Sequence, residues 1–218
     1  MTERIKVVGL GAGGHAKVIL DILSFYDKYE VIGLTNADPD AVGQRVLGVP
    51  ILGSDEILPH LRQQGVAGAF VGVGSVGDCR LRRKLFELAQ GLGFELINAI
   101  HPDATVARSV QMGTGVAVMA QAAINPGVVL SDNVIVNTGA QLDHDCRIGA
   151  HVHIAPGAHL SGDVHVGDCA HVGPGATIIQ GIRVGEGALV GAGSVVLRDV
   201  LPRVTVFGMP ARVIQERD

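Results

Sequence analysis

The sequence predicts a small α/β domain of Rossmann-like type, followed by an all-β left-handed parallel β-helix. Three observations predict this fold class. Strand and helix patterns alternate over the first hundred residues, and a six-residue repeat takes over from Ala104. The composition, with 31 Gly and 3% aromatic residues, indicates stacked small and β-branched side chains rather than an aromatic core. We therefore predict two domains, over residues 1–100 and 101–218.

The α/β domain is predicted from its alternating periods. An apolar run of strand length leads into a Gly-rich turn and then into apolar residues at helical spacing. Such alternation is typical of a parallel sheet with right-handed crossovers. The predicted elements are a strand over Ile5–Leu10, a helix over about His15–Ser24, a strand over Glu30–Leu34, a short strand over Gly48–Leu52, a helix over about Asp55–Gln64 capped by Ser54, a strand over Gly68–Val73, a helix over Asp78–Gly91 with Leu81, Leu85 and Leu88 on one face, and a closing segment over Glu95–Ile100.

The β-helix is predicted from the hexads that begin at residues 104, 110, 116 and so on. Their first residue is usually small, and Gly is concentrated at the fourth and sixth positions. One hexad on each face of a triangular prism explains this pattern, and the chain then has about five coils. The third position is aliphatic in every hexad: Val106, Met112, Val118, Ile124, Leu130, Val136, Leu142, Ile148, Ile154, Leu160, Val166, Val172, Ile178, Val184, Val190 and Val196.

Charge and cysteine usage narrow the possible partners. The net charge of −4 argues against a nucleic-acid partner or an anionic membrane surface, because both need a basic face. We find no apolar run of membrane-spanning length and no secretory leader pattern before the first strand. Cys79, Cys146 and Cys169 show no CxxC spacing, so we expect small buried apolar residues, no disulfide framework and a cytoplasmic location.

The turn after the first strand supports a competing hypothesis. Gly9 to Gly14 satisfies GxGxxG between a strand and a helix, which is the dinucleotide fingerprint. An Asp or Glu is expected at the end of the second strand to bind ribose, but the chain has Thr35 and Asn36 there. An NAD-binding oxidoreductase or sensor is therefore a distant alternative.

Three segments resemble the hexapeptide-repeat acyltransferases. They are Gly11-Ala12-Gly13-Gly14-His15, the stretch from Asn137 to Asp145, and the ending from Val206 to Arg212. Together they resemble the branch that N-acetylates nucleotide-linked 4-amino sugars. That branch includes the acetyltransferase of bacillosamine synthesis and its sialic acid O-acetyltransferase relatives.

The resemblance implies site residues in both domains. It makes His144 the general base and Asp145 the carboxylate that raises its basicity, and an imidazole suits that role. Neighbouring residues of a strand face opposite ways, so Asp145 reaches His144 only at a coil corner or across a subunit boundary. The resemblance further implies that Gly13, Gly14, His15, Thr35, Asn36 and Gly74 bind the nucleotide sugar, that Asn137 lies near the acceptor, and that His153, Gly162, Pro174 and Ala192 contact acetyl-CoA. The Gly162 N–H would then stabilise the oxyanion.

The repeat itself predicts where the histidines lie. His144, His153 and Gly162 are expected on neighbouring parts of one prism edge. The remaining histidines of the repeat follow its outward positions, and we expect them to be outward-facing and without a role: His151, His159, His165 and His171. No two histidines are five residues apart, so the zinc site of β-helical carbonic anhydrases is not expected, and we predict no metal.

The sequence thus predicts an acetyl-CoA-dependent N-acetyltransferase that acts by direct attack on a nucleotide-linked 4-amino-dideoxy sugar, with UDP as the favoured nucleotide. The resemblance also implies a homotrimer with active sites between subunits. An O-acetyltransferase of sialic acid or another sugar is the nearest alternative. A non-catalytic β-helix scaffold is a further one.

Overall fold

The computed structural model describes residues 4–217. The described chain divides into two compact units. The N-terminal unit comprises residues 4–74 and 80–99, and the β-helix unit comprises residues 75–79 and 100–217. The short segment 75–79 therefore belongs with the second unit, which the sequence did not predict.

The N-terminal unit contains a six-stranded sheet in the order β3-β4-β2-β1-β5-β6. Its strand pairs are parallel except for the β3–β4 hairpin, so the predicted α/β class is confirmed. The strands are β1 Ile5–Leu10, β2 Tyr29–Thr35, β3 Arg45–Val46, β4 Val49–Gly53, β5 Gly68–Val71 and β6 Glu95–Leu96. The helices are α1 Gly14–Ser24, α2 Leu58–Gln63 and α3 Arg80–Gly91, with 3-10 turns over Pro39–Ala41 and Asp55–Ile57.

Helix α3 differs from its prediction in the face that it buries. Leu81 is exposed, whereas Arg82 is buried together with Leu85, Phe86 and Ala89. These four positions follow the helical i, i+3, i+4, i+7 spacing. The apolar pattern predicted that Leu81 would be buried, but the neighbouring Arg82 is buried instead.

The second unit is a parallel β-helix of two-residue strands. The first face holds β7 Ala99–Ile100, β10 Ala117–Val118, β13 Ile135–Val136, β16 His153–Ile154, β19 His171–Val172 and β22 Leu189–Val190. The second face holds β8 Thr105–Val106, β11 Ala123–Ile124, β14 Gln141–Leu142, β17 His159–Leu160, β20 Thr177–Ile178 and β23 Val195–Val196. The third face holds β9 Gln111–Met112, β12 Val129–Leu130, β15 Arg147–Ile148, β18 His165–Val166 and β21 Arg183–Val184.

The predicted hexad register is confirmed by these strands. Each aliphatic third position is the second residue of a strand, and from Val118 onward these residues are buried in one continuous core. Ala117 pairs with Ile135 and Val118 with Val136, so each residue lies beside its equivalent in the next coil.

The corners between the faces have a repeating backbone conformation. Every sixth residue from Gly115 to Gly193 has a positive φ angle. Glycine occupies most of these corners because it adopts that conformation without steric strain. Six corners are held by other residues: Gln121, Asn133, Asp145, His151, Asp163 and Cys169.

Two features close the β-helix unit. A hairpin of β24 Val204–Gly208 and β25 Ala211–Glu216 extends the first face after the last coil.

Cys79 and Cys169 form a disulfide across a sequence separation of 90, so the expectation that all cysteines are unpaired was wrong. Among residues 4–217, Cys146 is the one free cysteine, and it is buried, as predicted.

No helix within residues 4–217 has the length and apolar character needed to cross a membrane.

Candidate active site

The start of α1 gathers three of the predicted substrate residues. Gly13 precedes the helix in an extended conformation, and no side chain caps the helix N-terminus. Gly13 and Gly14 have open space where a Cβ would point, and a Cβ on Gly74 would lie 4.0 Å from the Cβ of His15. The first turn of α1 also lacks acidic residues, so the positive end of the helix dipole faces no carboxylate of its own turn, which suits an anionic ligand.

A buried arginine supports this helix start. Arg82 is 1% exposed, and its Nη1 donates to the carbonyl oxygens of Val71 at 3.0 Å and Val73 at 2.7 Å. The same Nη1 lies 3.2 Å from Nε2 of His15. A guanidinium only donates, so Nε2 of His15 can only accept here, and it shares the two Nη1 hydrogens with the carbonyls of Val71 and Val73. Burial lowers the pKa of Arg82 to about 9. Sequence reasoning missed Arg82, although it has helical spacing with Leu85 and Ala89.

The end of β2 differs from the prediction for Thr35. Its side chain is 0% exposed, and its Oγ1 donates to Oδ1 of Asp55 at 2.5 Å. Asn36 is partly exposed, and its Oδ1 accepts from the backbone N–H of Asp38 at 3.1 Å. Thr35 therefore supports Asp55 rather than facing solvent. Sequence spacing alone did not reveal this contact between Thr35 and Asp55.

His144 and Asp145 form a hydrogen-bonded pair within one chain. Nδ1 of His144 lies 2.9 Å from Oδ2 of Asp145. The contact is possible because Asp145 occupies a corner with a φ of 63°, which turns its side chain toward that of its neighbour. Of the two possibilities that the sequence left open, a coil corner or a subunit boundary, the structure shows the coil corner. The hydrogen bond that Nδ1 of His144 donates to Asp145 raises the pKa of His144 above its ordinary value, because it stabilises the imidazolium.

Two further carboxylates lie near this pair but do not bond the His144 imidazole. Asp143 accepts from the backbone N–H of His144 at 2.8 Å and from Nδ2 of Asn125 at 3.0 Å, and these bonds lower the pKa of Asp143. Asp163 bonds Nε2 of His165 at 3.2 Å. The charges of Asp143, Asp145 and Asp163 all favour a protonated His144.

Gly162 lies beside the other nitrogen of the His144 ring. A Cβ on Gly162 would come within 2.5 Å of Nε2, so only glycine leaves the ring in this position. The carbonyl of Gly162 accepts from the N–H of Gly181, but its own N–H has no acceptor among the described residues. Because Nδ1 bonds Asp145, Nε2 is the ring nitrogen that faces residue 162.

His153 is held in a different part of the prism. It is 5% exposed, with Nε2 at 3.1 Å from Nδ2 of Asn137 and Nδ1 at 3.3 Å from the carbonyl of Ser75. His171 packs edge-on against it, with ring centroids 4.9 Å apart, and is 7% exposed. Burial lowers the pKa of His171, as does the charge of Arg217. The expectation that His171 is a solvent-facing side chain was wrong, because segment 75–79 covers this part of the first face.

The site residues that we expected on one edge of the prism do not share an edge. His144 and Gly162 lie on the edge between the second and third faces, whereas His153 is on a strand of the first face. Asn137, Pro174 and Ala192 follow strands of the first face and precede strands of the second, so they share the edge between those two faces. Pro174 and Ala192 are exposed there. The predicted grouping of His144, His153 and Gly162 was therefore wrong, because nine residues correspond to half a coil.

A cysteine also lies close to His144 in sequence. The thiol of Cys146 is buried and donates to the carbonyl of Ser161 at 3.3 Å. Burial raises its pKa to about 11, which keeps it a thiol rather than a nucleophilic thiolate. Over residues 4–217, no group of three or more His, Cys, Asp or Glu side chains is arranged to hold a metal ion.

Comparison with known proteins places this architecture in a family. Residues 6–89 match the model of the PglD N-terminal domain, and residues 127–162 match the bacterial transferase hexapeptide model of six repeats. PerB from Caulobacter crescentus, solved with CoA and GDP-perosamine, is 46% identical, with 99% of each chain covered and a TM-score of 0.90. The chain belongs to the hexapeptide-repeat sugar N-acetyltransferases.

Two other structures resemble this N-acetyltransferase, one in family and fold and the other in fold alone. The acetyltransferase domain of PglB from Neisseria gonorrhoeae, solved with acetyl coenzyme A, is 39% identical, covering 97% of this chain and 100% of that chain with a TM-score of 0.88. WeeI from Acinetobacter baumannii is 24% identical, covers 96% of this chain and 100% of that chain with a TM-score of 0.80, and is similar in fold. These matches favour the predicted acyltransferase over the NAD-dependent alternative.

Proposed function

We propose that this N-acetyltransferase transfers the acetyl group of acetyl-CoA to the amino group of a nucleotide-linked 4-amino-dideoxy sugar, with His144 as the general base. The observation that carries the proposal is the 2.9 Å contact between Nδ1 of His144 and Oδ2 of Asp145. It holds the imidazole in the tautomer whose Nε2 accepts a proton. Gly162 faces that nitrogen, and its N–H, which has no acceptor among the described residues, is the proposed oxyanion donor.

The proposed reaction is a direct attack within a ternary complex. The sugar nitrogen forms a bond to the acetyl carbonyl carbon, and the amine proton passes to Nε2 of His144. The carbonyl oxygen becomes an oxyanion that the Gly162 N–H stabilises. The carbon–sulfur bond then breaks, and CoA leaves as a thiolate that takes up the proton. The raised pKa of the buried Cys146 thiol supports a mechanism without an acyl-enzyme.

The two domains have separate proposed roles. Residues 1–100 bind the nucleotide sugar through the start of α1, with Gly13, Gly14, His15, Asn36 and Gly74 nearest the ligand. Residues 101–218 carry acyl transfer. The open helix N-terminus supports phosphate binding in the first domain. The sequence favoured UDP, but the bound ligand of PerB is GDP-perosamine, which makes GDP the second nucleotide to test.

We propose a homotrimer as the active form. His144 and Gly162 lie on a different prism edge from Asn137, Pro174 and Ala192, so one chain presents only part of the proposed acetyl-CoA and acceptor contacts on each edge. A site between subunits combines the two edges. Co-expressing His144→Asn with Pro174→Glu tests this arrangement. Each variant alone is expected to be inactive, and mixed trimers are expected to regain activity because some interfaces contain both native edges. No recovery from soluble mixed oligomers would contradict a shared site.

A thiol-release assay tests the reaction itself. Acetyl-CoA is supplied with a panel of UDP-, GDP- and dTDP-linked 4-amino sugars and with hydroxyl acceptors, including sialic acid. We expect CoA release with an amine acceptor and a loss of about 10²- to 10⁴-fold in kcat for His144→Asn. Turnover with hydroxyl acceptors alone would replace the proposal by O-acetylation. Full activity of His144→Asn would remove His144 as the base.

A cytoplasmic location remains part of the proposal, although the cysteines no longer support it. Disulfides persist mainly in oxidising compartments, and Cys79–Cys169 is a disulfide. Alkylating the protein at the moment of cell lysis and counting the blocked thiols tests the compartment. Three blocked thiols in the native host would support a reducing location, and one would oppose it.

A further inference from the structure

A second glycine lies on the other side of the His144–Asp145 pair. Gly127 precedes Asp145 by one coil on the same edge, and the N–H of Asp145 donates to the carbonyl of Pro126 at 3.1 Å. A Cβ on Gly127 would collide with Oδ1 of Asp145, and the three atoms nearest to it all belong to Asp145. The carboxylate therefore fills the space that a side chain at residue 127 would take.

At other corners an aspartate carboxylate also lies against a glycine, but its hydrogen bond joins two coils. Cβ atoms on Gly113 and Gly149 would meet Oδ1 of Asp132 and of Asp168. In both of these corners, Oδ1 accepts a backbone N–H from the preceding coil at 2.8 Å, so the carboxylate ties two coils together. Asp145 instead directs its Oδ2 to Nδ1 of His144. The carboxylate that lies against Gly127 therefore orients His144, whereas the carboxylates of Asp132 and Asp168 join coils.

We infer that Gly127 is a positioning residue for the base, because only a residue without a side chain leaves room for the Asp145 carboxylate beside His144. The inference rests on the proposed role of His144. Gly127 and Gly162 then have matching tasks: one leaves room for the carboxylate on the Nδ1 side, and the other leaves room for the ring on the Nε2 side. Neither residue contacts the reacting atoms through a side chain.

The charged groups around His144 define what a displaced carboxylate would change. Asp145 bonds the ring, whereas Asp143 and Asp163 act on it only through their charge. Asp143 is held by Asn125 and the His144 N–H, and Asp163 by His165, so both stay in place if Asp145 moves. Loss of the hydrogen bond from His144 to Asp145 therefore lowers the pKa of His144, while the other two charges still raise it.

Gly127→Ala is the test, and Gly187→Ala is its matched control. Both glycines occupy corners with positive φ, but a Cβ on Gly187 only reaches ordinary contact, at 3.4 Å from Cγ of Arg203. Both variants thus place a side chain at a left-handed corner, at φ angles of 79° and 63°, and only Gly127→Ala meets Asp145. The pKa of His144 is measured by NMR titration of the imidazole signals, assigned with His144→Asn. We expect Gly127→Ala to lower this pKa to the value found in Asp145→Ala, and Gly187→Ala to leave it unchanged.

The double variant Gly127→Ala/Asp145→Ala separates positioning from general packing. If Gly127 acts through Asp145, the double variant has the same His144 pKa as Asp145→Ala alone. If Gly127→Ala does not fold, a folded double variant still supports the inference, because removing the carboxylate relieves the collision. An unchanged His144 pKa in folded Gly127→Ala, or a double variant that also fails to fold, would overturn it.

This titration needs no substrate, so it is independent of the proposed reaction. An enzyme that shows the expected pKa changes but no acetyl transfer would contradict the proposed function and leave the positioning of Asp145 intact. In an active enzyme, kcat is expected to fall by the same factor in Gly127→Ala and Asp145→Ala, and not to fall further in the double variant.

Discussion

Gly162 lies against the imidazole of His144, so closely that a Cβ atom at Gly162 would come within 2.5 Å of Nε2. The two residues are one coil apart on the same edge, so residue 162 faces the ring nitrogen that we propose as the proton acceptor. In the proposed mechanism, the base and the oxyanion donor therefore come from adjacent coils. The following predictions test this arrangement and the contacts that stabilise each of the two units.

Replacing Gly162 by Ala is expected to displace the His144 ring. The added methyl group overlaps Nε2, and a shift of about 1 Å in a catalytic group lowers the rate by about a hundredfold. Steady-state kinetics with acetyl-CoA and the preferred amino sugar measures the loss in kcat/KM. Gly91→Ala is the control, because Gly91 has open space at its Cβ position and lies at the end of α3. Equal activities of the two variants would rule out close packing as the reason for glycine at residue 162.

The pH dependence of kcat/KM is expected to follow the neutral fraction of His144. Its folded-state pKa lies above the ordinary 6.5, since Asp145 stabilises the imidazolium, so activity falls as the pH drops through that raised value. Asp145→Asn removes the charged acceptor and moves the half-maximal pH to a lower value. Asp168→Asn is the comparison variant, because Asp168 binds the N–H of Ala150 on another edge. A midpoint that stays in place in Asp145→Asn would contradict the assigned coupling.

Arg82→Met is expected to destabilise the N-terminal unit. The variant leaves the carbonyls of Val71 and Val73 buried without their donor, and each such loss costs about 1–3 kcal/mol. Urea denaturation followed by circular dichroism measures the free energy of unfolding. Arg83→Met is the matched control, since Arg83 is half-exposed and pairs with Glu87 four residues later, a contact worth about 0.5 kcal/mol or less. Similar losses in both variants would show that the buried bonds contribute little.

Reduction of the Cys79–Cys169 disulfide is expected to destabilise the β-helix unit. The bond closes a sequence separation of 90 residues, and such crosslinks typically contribute about 2–4 kcal/mol. Thermal melting with and without reductant measures the effect. A double variant with Ser at both positions should melt at the lower temperature under both conditions. Denatured protein should expose one thiol before reduction and three after it; three thiols without reductant would show that the bond is absent.

The β-helix could be predicted almost to the residue, because its pattern is local and repeats. The third residue of every hexad is aliphatic and points into the core. Once one strand is placed, the six-residue spacing places the next. The same register also marks Asp145 as a corner residue, since it holds a sixth position. The pairing of His144 with Asp145 within one chain is thus a consequence of the repeat.

The features that sequence reasoning missed depend on contacts between distant residues. Nothing in the repeat indicates that segment 75–79 lies on the first face, so the burial of His171 and the disulfide of Cys169 were not foreseen. Asp55 reaches Thr35 through the packing of the sheet. Arg82 is buried against carbonyls of the β5 end, where hydrogen bonds rather than hydrophobicity decide which side of α3 faces inward.

The corner at every sixth residue also governs how the chain can change in length. Residues at the same place in successive coils are 18 apart, as Asn125 and Asp143 are. Removing six residues would move every following side chain to the next face and separate Gly127 or Gly162 from the pair it accommodates. Removing or adding 18 residues beyond Gly162 restores the register. Natural insertions and engineered truncations should therefore be tolerated in whole turns of the prism.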